Sequence, residues 1–272
     1  MYSHGPHVDV TDLELSPIVG MWSDIYKILN RFRIDLGANS SIPKTLSYPY
    51  SMNLHQPHWN KPHEGEHRFP VSVVVAIVIA LQFALPRTVS LSFQGWICAL
   101  EVIILIALYA VSPNRIKKHH PPTRFIGFAL TTVMTLSNTV SAVKLIAELI
   151  SGGIGTATQL LASGGSIWLT NIVIFSLWFW DLDRGGPGAR AEAKKIWPDF
   201  MFQQMSDPQY APNDWHPKFF DYLYMSFTNA SAFSPTDVLP LTRWAKLLML
   251  LQSTTSLVVV GLVVARAVNI LN

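Results

Sequence analysis

The sequence predicts an all-α integral membrane protein with about five transmembrane helices and a re-entrant half-helix of the pore type. Composition and the grouping of apolar residues predict this class. Half of the 272 residues are hydrophobic and only 14% are charged, whereas about a quarter of the residues in soluble domains are charged. The apolar residues also gather in segments that approach or exceed the ~20 residues that a helix needs to cross a bilayer.

Five apolar segments are the predicted spans, and they lie at residues 69–85, 91–111, 125–150, 166–180 and 239–268. The segment 151–165 has no charged residue and is predicted to be a linker. Around these spans we predict four regions. They are a cytoplasmic leader, a four-helix transmembrane region, a hydrophilic connector and a C-terminal pore-type unit, at residues 1–68, 69–182, 183–214 and 215–272.

Basic residues near the spans predict that the N-terminus is cytoplasmic, because short cytoplasmic loops carry an excess of lysine and arginine. The predicted cytoplasmic side has basic residues before the first span and after the second and fourth spans, namely Lys61, Arg68, Arg115, Lys117, Lys118, Arg124, Arg184, Arg190, Lys194 and Lys195. The other side has little more than Arg87. We therefore expect contact with membrane lipid, in a bacterial inner membrane, and no nucleic-acid partner.

The leader contains one predicted helix, at residues 17–34, which follows the capping pair Ser16-Pro17. Its apolar residues recur at spacings of three and four and form one stripe. A position in the membrane interface is the favoured interpretation. Packing between subunits is the alternative.

A histidine cluster follows in the leader, with the sequence HQPHWNKPHEGEH, and its members are His55, His58, His63 and His67. Imidazoles at this spacing could bind a borderline metal. Pro57 and Pro62, however, prevent a helix from presenting two histidines on one face, and the spacing matches no compact zinc signature. We therefore predict a solvated linker, with no metal site and no cofactor.

Charged residues within the predicted spans are candidates for function, because they are costly in lipid. Glu101 lies near the middle of the second span, and Lys144 and Glu148 lie four residues apart in the third. Lys144 and Glu148 are expected to form a local ion pair. For Glu101, an interhelical structural bond and a role near an ion or proton path are both open. No nucleophile–base pair or glycine-rich phosphate loop is visible, so we expect that the protein is not an enzyme.

The most informative stretch is DYLYMSFTNASAFSPTD, residues 221–237, which precedes a long apolar segment. Large apolar residues recur here at helical spacing over about half the length of a span. The run then ends in a polar turn before Pro240. A half-helix, a polar turn and a full helix form the arrangement of a re-entrant pore loop, in which non-helical backbone lines a watery path or is buried in protein.

These residues resemble the pore helix, filter and inner helix of the potassium-channel superfamily. The resemblance covers roughly residues 219–270 and rests on D-x-L-Y-x-S-F, on D-x-x-P-L-T and on the apolar helix that ends in A-R. It implies a tetramer. The whole chain also resembles an uncharacterised family of bacterial membrane proteins, and that resemblance implies no mechanism.

The predicted filter departs from that family, whose T-V-G-Y-G-D is here Ala232-Phe233-Ser234-Pro235-Thr236-Asp237. Both glycines are absent, and glycine permits the backbone angles that aim consecutive carbonyls at an ion. We expect a wider, cation-conducting pore in a homo-oligomer, lined by polar side chains of Thr228, Asn229, Ser231, Ser234 and Thr236, with Asp237 forming a ring.

Three alternatives stay open: a secondary transporter, a non-conducting scaffold or sensor, and a hairpin that merely caps the bundle. The direction of entry is also open. Four spans return the chain to the cytoplasm, as in the inverted pores of glutamate-receptor channels, whereas potassium-channel pore helices enter from outside.

Overall fold

The computed structural model describes residues 57, 59–111, 115–116, 120–151, 156–195, 197–207, 209, 211–212, 214–231 and 237–271. The predicted leader helix at 17–34 lies outside the described residues, as do His55 and His58 of the histidine cluster. Five residues of the predicted filter also lie outside them, namely Ala232, Phe233, Ser234, Pro235 and Thr236.

The described chain is predominantly helical. Its five longest helices are α1 (Phe69–Phe83), α2 (Gln94–Val111), α3 (Pro121–Ser151), α4 (Ala157–Leu182) and α8 (Arg243–Leu271). Three shorter helices lie between the last two, α5 (Pro187–Ala191), α6 (Gln203–Ser206) and α7 (Phe219–Ser231). Two antiparallel pairs of very short strands complete the fold, β1 (Glu66–His67) with β2 (Arg115–Ile116), and β3 (Phe200–Met201) with β4 (Leu239–Pro240).

Four of these helices, α2, α3, α4 and α8, are long and apolar enough to cross a membrane. Helix α1 is apolar but has only 15 residues. The predicted all-α membrane class agrees with this architecture. The central helix is α4, which packs against α1, α3, α7 and α8. Its apolar side chains are therefore mostly buried, as expected for a helix that is apolar on every side.

Helix α4 begins within the segment that we predicted to be a linker, and that prediction is wrong for residues 157–165. Thr156 caps the helix, because its side-chain oxygen accepts a hydrogen bond from the Gln159 backbone N–H at 3.2 Å. Glycine lowers helix propensity here, but Gly164 permits a close approach to α8: a Cβ on Gly164 would lie 2.6 Å from Val263 Cγ2. Tertiary packing of small residues therefore outweighs local propensity.

The long helices run between two ends of the bundle. We call one the charged end, defined by the buried residues Glu66, Asp183 and Arg190 and the partly buried Asp199. Helix α4 ends there, and α1, α3, α7 and α8 begin there. At the opposite end, the connection between α1 and α2 packs against the end of α3 and the start of α4, with Val89 and Leu160 in one apolar cluster.

Candidate functional site

The helix expected before the polar turn is present as α7, which begins at Phe219, and its start is held at the charged end. Lys218 N–H donates to Asp221 Oδ2 at 2.7 Å and Phe219 N–H donates to Glu66 Oε2 at 2.9 Å. These two carboxylates satisfy N–H groups that the first turn of a helix leaves without partners, at the positive end of its dipole.

Glu66 is the first centre of a buried charge network. Its Oε1 lies 3.1 Å from Nη2 of Arg190, and its Oε2 also accepts a bond from Trp180 Nε1 at 2.9 Å. Arg190 in turn donates through Nη1 to the carbonyl oxygens of Trp180 and Asp183, at 2.6 and 3.1 Å. Both charged side chains are at most 5% exposed. A single carboxylate therefore joins the β1 segment, the end of α4, α5 and the start of α7.

Asp183 is the second centre, and it links α4 to the segment that precedes α8. Its Oδ2 accepts a 2.5 Å bond from the Tyr222 hydroxyl of α7, and its Oδ1 accepts the Asp199 N–H at 3.0 Å. Asp199 accepts bonds from Arg184 N–H at 2.8 Å and from Trp244 Nε1 in the first turn of α8 at 3.1 Å. The starts of α7 and α8 are thus fixed at the same end.

A tight turn directly follows Asp183, the second centre. Arg184, Gly185 and Gly186 follow one another with φ values of 51°, 88° and 94°, in a region that glycine adopts readily and other residues rarely. The turn buries the Arg184 side chain, whose Nη1 donates to Asn60 Oδ1 at 3.1 Å and whose guanidinium lies 5.0 Å from the Trp59 ring. The backbone strain at Arg184 is offset by these buried contacts.

Polar side chains join α7 to α4 and α8 at mid-length. Ser226 Oγ donates to the Ile172 carbonyl of α4 at 2.6 Å, and Gln252 Nε2 of α8 donates to Ser226 Oγ at 2.6 Å. Asn229 donates to Gln252 Oε1 at 2.8 Å and accepts a bond from Ser253 Oγ at 3.0 Å. Helix α7 therefore descends from the charged end only as far as the middle of α4, where it stops.

The predicted pore-lining residues of α7 lie at its last turn. Thr228 Oγ1 bonds back to the carbonyls of Tyr224 and Met225, and Ser231 Oγ bonds back to Thr228 O. Asn229 is engaged with α8, as described above. Asp237 is exposed and directly precedes the buried Val238. Strand β4 lies between Asp237 and α8, so Asp237 is not in a position to cap that helix.

The chain returns from mid-length to the charged end between α7 and α8. Strand β4 pairs with β3 there, and Leu241 N–H donates to Asp199 O at 2.9 Å. Helices α7 and α8 therefore both begin at the charged end, α7 ends at mid-length at Ser231, and the described chain is back at the charged end at β4.

The predicted intramembrane charges have different environments. Glu101 is fully buried, as expected for an inward-facing residue, and neither carboxylate oxygen has a hydrogen-bond partner within the described ranges. Ser137 and Ser141 of the predicted polar face are also buried. The expected ion pair of Lys144 with Glu148 is wrong in the described chain: Lys144 Nζ instead donates to the Ser90 carbonyl at 2.5 Å, which ties α3 to the connection before α2.

Sequence reasoning missed the charge network. Arg184 and Arg190 were counted as basic residues of the cytoplasmic loop after the fourth span, but each is 2% exposed. The histidine segment was expected to be a solvated linker, and that prediction is wrong for Trp59, Asn60 and Glu66, which are buried. One signal was available in the sequence. Two carboxylates, Asp181 and Asp183, lie at the end of the fourth predicted span, in the run D-L-D-R-G-G-P-G-A-R. Charged side chains within or beside a span are costly and indicate a specific role.

His63 of the predicted cluster stacks on His216, with ring centroids 3.7 Å apart. Burial lowers the pKa of His63 to about 4, and the nearby His216, Arg190, Arg184 and Lys218 contribute in the same direction. The neutral ring accepts a bond from Gly65 N–H at Nδ1, so the contact fixes the segment that delivers Glu66 to the network.

Comparison with known proteins adds no relative: no family pattern, curated protein or solved structure matches this chain. The similarity to the potassium-channel superfamily therefore stays an expectation based on residues 219–270.

Proposed function

We propose that the protein forms an oligomeric, cation-conducting pore in a membrane, with α7 as the pore helix and α8 as the inner helix. The observation that carries the proposal is the placement of α7, β4 and α8. Helix α7 ends at mid-length at Ser231, and the described chain resumes at Asp237 and β4, at the end from which α7 came. A helix of half a membrane's depth followed by a chain that is back on the same side is typical of a re-entrant pore loop.

A single chain supplies one half-helix, so a pore of this kind needs several copies around an axis. Helix α7 presents exposed apolar residues at a helical spacing, Phe220, Tyr224 and Phe227, of which Phe220 is 75% exposed. Such a face suits a neighbouring subunit or lipid. The potassium-channel-like residues favour a homotetramer with five spans per chain, in which α1 crosses the membrane despite its length.

Asp237 would form a ring of four carboxylates at the charged end, and the polar turn Ser234-Pro235-Thr236 would line the path in place of a glycine-based filter. We therefore expect inorganic cations to be the permeant species, with poor discrimination between potassium and sodium. Arg68, Arg115 and Arg124 lie at the same end, which favours a cytoplasmic location for that end and for the N-terminus in a bacterial inner membrane.

The test combines particle symmetry with conductance. We expect mass photometry and two-dimensional electron-microscopy classes of the detergent-solubilised protein to give a four-fold particle, and planar bilayers to give cation currents with similar potassium and sodium permeabilities. Protomers of ~30 kDa alone would rule out a pore built from several chains. A reversal potential that follows potassium alone would rule out the wide filter.

A secondary transporter is the second candidate. The buried carboxylate of Glu101, whose oxygens have no hydrogen-bond partner among the described residues, favours it, since a buried acid can carry a proton. Under this alternative, substrate flux would depend on a proton gradient and would be lost in Glu101→Gln. A conducting pore predicts instead that ion flux continues in Glu101→Gln and follows only the electrochemical gradient of the ion.

A further inference from the structure

A cavity of about 310 Å³ opens at the charged end, between α1, α2, α3 and α4. Its inner part is apolar and is lined by residues of all four helices, among them Val75, Leu108, Leu130 and Leu177. Each of these four side chains is buried. The volume is at the lower end of the range for small-molecule sites. The described residues that line the cavity belong to neither α7 nor α8, so a ligand there would not require the pore.

The outer part of the cavity is basic. It is lined by Arg68, Arg115 and Arg124, and the acidic residue among its lining residues is Asp181. Arg115 already has a partner, because its Nη1 lies 2.6 Å from Oε2 of the exposed Glu64. Arg68 and Arg124 both interact electrostatically with the buried carboxylate of Asp181, which offsets one of their two charges, so the rim keeps an excess of one positive charge.

These two arginines have unused donors. The Nε groups of Arg68 and Arg124 are buried and have no hydrogen-bond acceptor in the part of the chain that the structure describes. Within the described residues, Arg124 Nη2 donates to the Asp181 carbonyl at 3.1 Å, and the guanidinium lies 4.9 Å from the centre of the Phe128 ring. A buried N–H on a cation that lacks an acceptor is costly, so an acidic oxygen atom from a ligand would be favourable at this place.

The backbone beside Arg124 keeps this place open. A Cβ on Gly186 would lie 3.0 Å from the Asp181 carbonyl oxygen and 3.5 Å from Arg124 Nε, and the φ of Gly186 is 94°. Any other residue would be strained there and would fill the space next to the unused nitrogen. Gly186 is thus part of the cavity wall and lies next to the buried Arg124 Nε.

We propose that this cavity binds a phosphate-type anion, held by the guanidinium groups of Arg68 and Arg124. Guanidinium groups match phosphate oxygens in geometry and charge. The source is either the headgroup of an anionic phospholipid, whose chains would start on the apolar inner surface, or free phosphate. A basic rim above an apolar interior between membrane helices favours the lipid headgroup.

The experiment uses the full chain in detergent and two probes. Native mass spectrometry measures binding of phosphatidylglycerol against phosphatidylcholine, and thermal unfolding measures stabilisation by inorganic phosphate against chloride at matched ionic strength. The variants are Arg68→Gln and Arg124→Gln, and the matched control is Arg87→Gln, an exposed arginine at the opposite end. Gly127→Leu fills cavity space next to Asp181, and it keeps both arginines.

We expect one phosphatidylglycerol per chain to bind at least about tenfold more tightly than phosphatidylcholine, since a hydrogen bond to a charged group contributes roughly 1.5–3 kcal/mol and about 1.4 kcal/mol is a factor of ten. That preference should be lost in Arg68→Gln, Arg124→Gln and Gly127→Leu, and kept in Arg87→Gln. Stabilisation by inorganic phosphate that is lost in the same arginine variants, without a lipid preference, would assign the site to free phosphate.

Two results would overturn the proposal. One is equal binding of both lipids together with no stabilisation by phosphate in the wild type. The other is an unchanged preference in the arginine and Gly127→Leu variants, because the anion would then bind elsewhere. Melting temperatures measured without either probe show which variants are folded. If one arginine variant is unfolded, the other and Gly127→Leu still decide the outcome.

Discussion

Replacing Glu66 with glutamine tests whether the buried network holds the start of the half-helix. The carboxylate accepts bonds from Arg190, Trp180 and Phe219 through two oxygens. Glutamine has one oxygen, and its NH₂ group cannot accept a bond. If the glutamine oxygen still accepts the hydrogen bonds of the Trp180 and Phe219 N–H groups, the glutamine NH₂ group faces the guanidinium of Arg190. If the amide is reversed, both of those N–H groups lose their acceptor.

Either orientation is costly. Removing one partner of a buried ion pair costs about 3–5 kcal/mol, and leaving two buried N–H groups without an acceptor costs about 1–3 kcal/mol each. We therefore expect a loss of about 3–5 kcal/mol in the free energy of unfolding. For a chain of this size, about 1 kcal/mol lowers the melting temperature by roughly 2–4 °C, so Glu66→Gln should melt about 6–20 °C below the wild type.

The assay is thermal unfolding of the detergent-solubilised protein, followed by tryptophan fluorescence, and the matched control is Glu64→Gln. Glu64 is paired with Arg115 at 2.6 Å, but its side chain is 78% exposed, so this pair contributes at most about 1 kcal/mol. Two carboxylates of the same segment should thus differ strongly. A fall of less than 2 °C in Glu66→Gln, or equal falls in both variants, would refute the reasoning.

Two further predictions concern packing and pH. Gly164→Ala should lower the free energy of unfolding by about 1–3 kcal/mol, because the new Cβ would lie 2.6 Å from Val263 Cγ2. Gly165→Ala, with open space at its Cβ, should not lower it, and adding Val263→Ala to Gly164→Ala should restore the lost stability. Equal melting temperatures for Gly164→Ala and Gly165→Ala would contradict the packing. The melting temperature should also fall as the pH is lowered from 6.5 to 4. In the unfolded chain His63 binds a proton near pH 6.5, whereas in the folded chain its pKa is about 4, so protonation favours the unfolded chain over this range. His63→Gln should weaken this dependence, and an identical pH profile would show that the stack on His216 does not exclude the proton.

The sequence predicts the spans and the half-helix because their signals are local. Hydropathy places Gln94–Val111 and Pro121–Ser151 to within a few residues, and the helical spacing of the large apolar residues predicts α7. The burial of Glu101 also follows from its position within a span.

The charge network could not be read in this way. Glu66 and Arg190 are far apart in the chain, so nothing local indicates that they form a pair, and a count of basic residues treats every arginine as solvated. The same applies to the start of α4, where the packing of Gly164 against Val263 decides the structure and the local composition favours a linker.

The central claim is that the return segment between α7 and α8 borders a cation path, and the reversal potential in asymmetric potassium chloride tests it most directly. Wild type and Asp237→Asn are reconstituted into planar bilayers after their particles are shown to have the same size. Carboxylates at a pore mouth concentrate cations, and salt screens this effect. We predict a cation-selective reversal potential in the wild type that moves toward zero in Asp237→Asn, with a larger loss of conductance at low salt than at high salt. Equal reversal potentials and conductances for the two proteins, or no current from either, would contradict the claim.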